Sequence, residues 1–348
     1  MATSAIYHHM TPQTYMRSWK HGNSSVYVVE KGNEGVIGSK STKKFAGIDN
    51  YHSFRAGSLS ATASDCDKFF EPLENYTVTI NDVLTANTSE LNKHFYDFDN
   101  WIILDDSSTV VSDEKKNQLK KEILSIHIRD IEVSWDRQYE NFWNTINDSI
   151  TNAVYSNPTK NTIPAIKRED LIKFMVSLEW RTKPYHPTLL SVFEKTLSKE
   201  FLGVDFKSIK LDESERLYPF LETYYDEFAH SYILKLYREF LAGTGVIMAE
   251  AENFIKNATI NLLIAPSNKE FITSDNPVCR YSNSSGKTEY IFPLNPKLAC
   301  QVTKTSSGEN YLIHRLEDEE VININNQLKV NCNKGYILRE PNLSLYFE

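Results

Sequence analysis

Two short polar stretches carry the residues of this sequence best suited to chemistry. The first, His8-His9-Met10-Thr11-Pro12-Gln13-Thr14-Tyr15-Met16-Arg17-Ser18-Trp19, sets two imidazoles, a phenol and a guanidinium around one proline. Such a set supplies a general base in His9, a proton donor in Tyr15 and an anion clamp in Arg17, which suits hydrolysis or transfer at phosphate. The second, Phe271-Ile272-Thr273-Ser274-Asp275-Asn276-Pro277-Val278, ends an apolar, strand-like run in a carboxylate. Asp275 at a strand end can act as a metal ligand or base, as carboxylates do in metal-dependent nucleases. Each stretch also has a plainer reading. Pro12 can open a helix whose Tyr15 and Trp19 pack inward while the histidines bond backbone. Asp and Asn ahead of Pro277 can close a turn on nearby amides.

Two further places add candidates. Asp130, Glu132, Asp136 and Glu140 alternate with Arg129 and Arg137, the pattern of a solvated helix face. Glu132 stands apart because Ile131 and Trp135 put it beside an apolar stripe. Glu179-Trp180-Arg181 closes another apolar helix face, and an Arg181 buried there needs a carboxylate or an anionic ligand.

The elements that must position these residues fall into three regions. Ser25–Val29 and Val36-Ile37, joined by Lys31-Gly32-Asn33-Glu34-Gly35, read as a β-hairpin. Residues 56–112 show no sustained period and read as an irregular insertion. From Ser112 to about residue 256 the apolar spacing is helical: one long helix broken once through Ile150, another opening at Arg168-Glu169-Asp170 and ending near Lys183-Pro184, and a third from about Ser214 to Leu241. Short β-rich runs then alternate with turns from Thr259 to Val302 and at Tyr311–Ile313. A helix near Val321–Val330 and a last strand at Tyr336–Leu338 complete the chain. Strands at both ends around a helical middle give an α+β class with a mainly antiparallel C-terminal sheet, expected as one domain over 1–348.

Composition narrows the function classes. With 41% hydrophobic residues in 348 the chain can bury a large core, and 46 acidic against 38 basic residues argue against nonspecific binding to nucleic acid or anionic membrane. A local basic cleft is compatible with that balance. Cys66, Cys279, Cys300 and Cys332 form no CxxC pair, so buried, reduced thiols are expected. No signal-peptide core and no spanning apolar run occur, which places the protein in the cytoplasm, away from membrane. P-loop, GxGxxG, HExxH and GxSxG patterns are absent, and Gly243-Thr244-Gly245 lacks the third glycine of a dinucleotide loop.

In combination these pieces resemble the bacterial family called domain of unknown function 4238. The likeness rests on His9-x-x-Pro12-x-x-Tyr15-x-Arg17-x-Trp19, the Val26–Val29 run, Tyr51, Ile131-Glu132, Arg181-x-x-Pro184, Phe271–Val278 and Pro293-Leu294-Asn295-Pro296. Trp19 stands where the family more often has Phe, and residues 60–112 are longer than the usual connection. The resemblance implies a single-chain bacterial protein of this size in mobile, defence-like genomic settings, and carries no activity with it.

From the residues themselves, the leading expectation is a phosphodiester-cleaving enzyme, a nuclease of phage defence or another conflict system. Arg17 and Arg181 hold phosphate, His9 moves a proton, and Asp275 with Glu132 binds Mg2+ or Mn2+ or serves as base. Two rivals stand beside it. One is a non-enzymatic sensor or scaffold for a protein partner, and the other a module that binds a nucleotide without cleaving it.

Overall fold

A computed structural model describes residues 6–183, 186–196, 203–213, 215–282, 286, 288–304 and 308–348. The expected end of the second helix at Pro184 and the start of the third at Ser214 lie outside these residues. The class is α+β with antiparallel sheets, as expected. The chain, read above as one domain, divides into two compact units. One comprises Ala5–Asp49, Ser134–Thr188 and Glu239–Glu348, and the smaller comprises Met1–Ser4, Asn50–Val133 and Leu189–Arg238.

The larger unit holds a six-stranded sheet in the order Cys279–Ser282, Thr288–Asn295, Leu298–Thr303, Thr259–Ile264, Asn310–Arg315, Thr162–Pro164. All neighbours are antiparallel except Asn310–Arg315 with Thr259–Ile264, the one parallel pair. The N-terminal hairpin forms as read, Ser25–Glu30 against Ile37–Ser41. It is not isolated, because Gly335–Leu338 pairs with the other edge of Ser25–Glu30 and Thr273–Ser274 pairs beyond that. Continuous apolar residues in Val26–Val29 and Tyr336–Leu338 suit such central strands.

Buried aromatic rings fill the centre of this unit. Tyr15 stacks on Phe292 at 5.3 Å, and Trp143 stacks on Phe174 at 4.5 Å. The helix Arg168–Arg181 is buried continuously from Leu171 onward except at Lys173, so its face is set by packing on both sides. The C-terminal helix spans Asp318–Asn331, opened by a reciprocal Glu317/Glu320 cap. Its one fully buried amide, Asn325, donates to the Glu270 and Tyr346 carbonyls and accepts from Ile272 N.

In the smaller unit, residues 56–112 are more regular than their sequence suggests. They contain the helices Ala63–Phe69 and Thr88–Lys93 and a three-stranded sheet of Val83–Leu84, Thr77–Ile80 and Ile102–Leu104. The elements are too short to show a period. Asn81 and Asp82, both at positive φ, make the two-residue turn of a tight hairpin. The expected long helix breaks twice, giving Asp113–Ser125, Asp130–Gln138 and Trp143–Tyr155. The first break exists because Phe54 and Ile128 exchange both backbone hydrogen bonds at 2.9 Å, a long-range pairing that local spacing cannot reveal. The helix expected from Ser214 begins at Tyr224, where Thr223 and Asp226 cap each other reciprocally.

Candidate active site

The two polar stretches do meet. Within the larger unit Thr11 Oγ1 donates to the Asp275 carbonyl at 2.9 Å, Tyr15 Oη bonds Thr273 Oγ1 and the Pro293 carbonyl, and Trp19 Nε1 donates to the Phe271 carbonyl. Gly47 lets its strand come close to the first stretch, since a Cβ there would sit 2.6 Å from the His8 carbonyl oxygen. What the meeting forms is a buried seam of side chain to backbone bonds.

The five expected site residues are placed accordingly. His9 is buried with Nε2 3.2 Å from the Thr42 carbonyl. Arg181 is fully buried, donating to Glu140 Oε1 at 2.7 Å and to the His9 carbonyl at 2.6 Å, with its guanidinium 4.8 Å from the Trp135 ring centre. The requirement of a buried arginine for a carboxylate or an anionic ligand is met here by a carboxylate of the same unit. Asp275 accepts Asn333 N on one oxygen and Lys334 N on the other, at 3.0 and 2.8 Å. Burial pushes its carboxyl up while those amides pull it down. Those amides are remote in sequence, so Asp275 ties this segment to the turn after Asp318–Asn331, and the local turn is closed instead by Ser274 Oγ, which donates to the Asn276 carbonyl and accepts Asn276 N. Arg17 is exposed at the end of a one-turn helix. Glu132 lies in the smaller unit, 2.7 Å from His52 Nδ1. Backbone thus brings His9, Arg181 and the Asp275 segment together, and Arg17 points to solvent. Asp275 and Glu132, the pair expected to hold Mg2+ or Mn2+, belong to different units.

A different carboxylate in the larger unit carries the features of a reacting group. Glu179, two residues before Arg181, is 1% exposed, and among the described residues neither of its side-chain oxygens has a hydrogen-bond partner. Burial pushes its carboxyl up to about 8; Glu250 adds to the shift, and Arg280 and Lys304 oppose it. The fold assembles this group from four elements. Glu179 sits on Arg168–Arg181, and Glu250 on Gly245–Asn257. Arg280 pairs in register with Tyr290 on the neighbouring strand, and Tyr290 in turn with Val302, so all three share one sheet face. Lys304, just past that strand, lies 3.5 Å from Glu250 and 4.3 Å above the Phe254 ring. Phe254 meets Tyr290 edge to face at 5.1 Å, and the Arg280 guanidinium is 5.8 Å from the Tyr290 ring centre. Arg280 and Lys304 are exposed, Glu250 is half-buried and Glu179 lies beneath.

A carboxyl titrating near 8 is a proton donor at neutral pH. Placed with a second carboxylate and two cations, it resembles the split acid and base roles that environment can impose on like groups. The sequence held a signal for it: Glu179 falls four residues after Met175 and eight after Leu171, on the apolar stripe of its own helix. Arg280 and Lys304 gave none, being ordinary charges at strand ends.

The description "Protein of unknown function (DUF4238)" belongs to a family whose pattern matches residues 7–341. No curated protein and no solved structure matches the chain.

Proposed function

The chain belongs to the DUF4238 family, and for it we propose phosphodiester hydrolysis with Glu179 as general acid. One observation carries this reading: a carboxyl 1% exposed, with both oxygens unpartnered, lies under two exposed cations and beside a second carboxylate. An unsatisfied buried polar group costs about 1–3 kcal/mol, a burden kept where function requires it. Arg280 and Lys304 hold the non-bridging oxygens of the phosphodiester. Glu250 takes a proton from water as its oxygen bonds to phosphorus, and Glu179 gives its proton to the leaving oxygen as that P–O bond breaks. The substrate class is nucleic acid, met through this local positive pair in a chain of net charge −8.

The test is cleavage of pooled RNA and DNA by wild type, Glu179→Gln and Glu250→Gln, each checked for folding, with Mg2+, with Mn2+ and with EDTA. The expected result is a rate lowered about 10²–10⁴-fold in each variant, and a wild-type rate that declines as pH rises through about 8. Cleavage by Glu179→Gln at the wild-type rate would overturn the assignment. Loss of cleavage in EDTA would restore Mg2+ or Mn2+ to the mechanism. No cleavage by wild type would leave the binding and scaffold readings.

A further inference from the structure

We infer that the smaller unit carries a separate site for a phosphate group, formed by Arg55, His127 and Arg129 against Tyr218. The inference does not rest on the hydrolase reading, since these residues belong to the other unit.

The pairing of Phe54 with Ile128 makes a two-residue β-bridge between two otherwise irregular segments. Alternation along both segments then sends Ser53, Arg55, His127 and Arg129 to one face and His52 and Phe54 to the other. Ring contacts agree with this division. On the first face the Arg55 guanidinium is 5.7 Å and the His127 ring 6.1 Å from the Tyr218 ring centre, while Tyr218 Oη donates to the Ser53 carbonyl at 2.9 Å. On the second face His52 meets Tyr237, and Arg238 lies 3.7 Å over Phe54.

The two faces differ in how charge is answered. Arg238 is held by two carboxylates, Asp65 and Asp130. Arg55 makes no ion pair among the described residues. One of its nitrogens donates to the Leu217 carbonyl, and its buried Nε has no hydrogen-bond partner among them. His127 Nδ1 is likewise buried without a hydrogen-bond partner among the described residues. Arg129 Nη2 donates to Asn50 Oδ1 at 3.1 Å. Glu227, the carboxylate felt by Arg55, accepts Leu217 N, and its own carboxyl is pushed up by burial, which weakens it as a counter-charge. Two guanidinium groups therefore flank an imidazole that burial, Arg129 and Arg55 keep neutral, with a pKa lowered to about 4. Arg55, His127 and Arg129 are all half-buried, within reach of solvent.

Two guanidinium forks and an imidazole on one face suit a tetrahedral oxyanion with several acceptor oxygens, which distinguishes phosphate from a single-charged halide. Tyr218 lies parallel to Phe220 at 5.4 Å. A phosphate carrying an aromatic base and a phosphate alone share the recognition chemistry, and the measurement separates them.

The experiment follows the His127 ring signals by NMR in the full chain while inorganic phosphate, adenosine monophosphate or chloride is added, and measures affinity by calorimetry for wild type and Arg55→Gln. The expected result is a saturable His127 shift with phosphate and with the nucleotide, and at least tenfold weaker binding at this site in Arg55→Gln. Tighter binding of the nucleotide would extend the site to Tyr218 and Phe220, and equal binding would define a phosphate site. An unmoved His127 signal, or an equal shift with chloride, would overturn the inference. Because the readout is at His127, phosphate held by Arg280 and Lys304 does not register. Should Arg55→Gln fail to fold, Arg55→Lys supplies the same comparison, and the wild-type His127 response decides alone.

Discussion

Glu179 and Arg181 sit two residues apart on one buried helix and meet burial in opposite ways. Arg181 has Glu140 and a carbonyl, whereas among the described residues nothing hydrogen-bonds the Glu179 oxygens. Its carboxyl is raised from 4.5 to about 8, so between those pH values the native state binds a proton that the unfolded state has lost. The resulting stability is complete below 4.5 and disappears as pH rises through 8. At roughly 1.4 kcal/mol per pKa unit the total is on the order of a few kcal/mol. Thermal unfolding from pH 5 to 9 should therefore show a declining Tm in wild type and a flatter profile in Glu179→Gln. Identical slopes would mean that Glu179 titrates normally. At this scale the sequence was partly legible. It marked Arg181 as an arginine in need of a partner and Asp275 as either turn or ligand. It could not rank Glu179 above its neighbours, because burial on both sides of a helix is decided by distant elements.

At the scale of elements, strong local signals survived and weak ones did not. Arg168–Arg181, Asp318–Asn331 and the Ser25–Glu30 hairpin follow from apolar spacing, caps and β-rich runs. The region 56–112 concealed a sheet and two helices because none is long enough to set a period. The long helix lost its middle to the Phe54–Ile128 pairing, the same contact that aligns Arg55 with His127. Polar residues inside elements give a further measurable consequence. Asn325 satisfies two carbonyls and one amide that have been taken from water. Asn325→Leu leaves all three without it, and at about 1–3 kcal/mol for each unsatisfied buried group a loss of at least 3 kcal/mol is expected. Urea unfolding measures it directly, and a loss below about 1 kcal/mol would mean that water or a shifted side chain takes over.

At the scale of the whole molecule, the α+β class and the run of strands toward the C-terminus were readable, while the interleaving of the two units was not. Periodicity describes neighbours in sequence, and each unit is assembled from segments far apart in it. Among the described residues no helix is long and apolar enough to cross a membrane. The four-stranded sheet shows what the interleaving entails. Ser25–Glu30 lies between Ile37–Ser41 and Gly335–Leu338, so one of its two hydrogen-bonding edges is completed by almost the last residues of the chain. A chain ending at Lys334 should stay unfolded in the larger unit, seen as loss of near-ultraviolet circular dichroism, and a native signal from it would contradict this. During translation at roughly 5–20 residues per second, the second edge of that strand waits on the order of 15–60 seconds for Gly335–Leu338. Until then the strand can close only on Ile37–Ser41, and its second edge stands with unpaired amides and carbonyls, a template open to the strands of neighbouring chains.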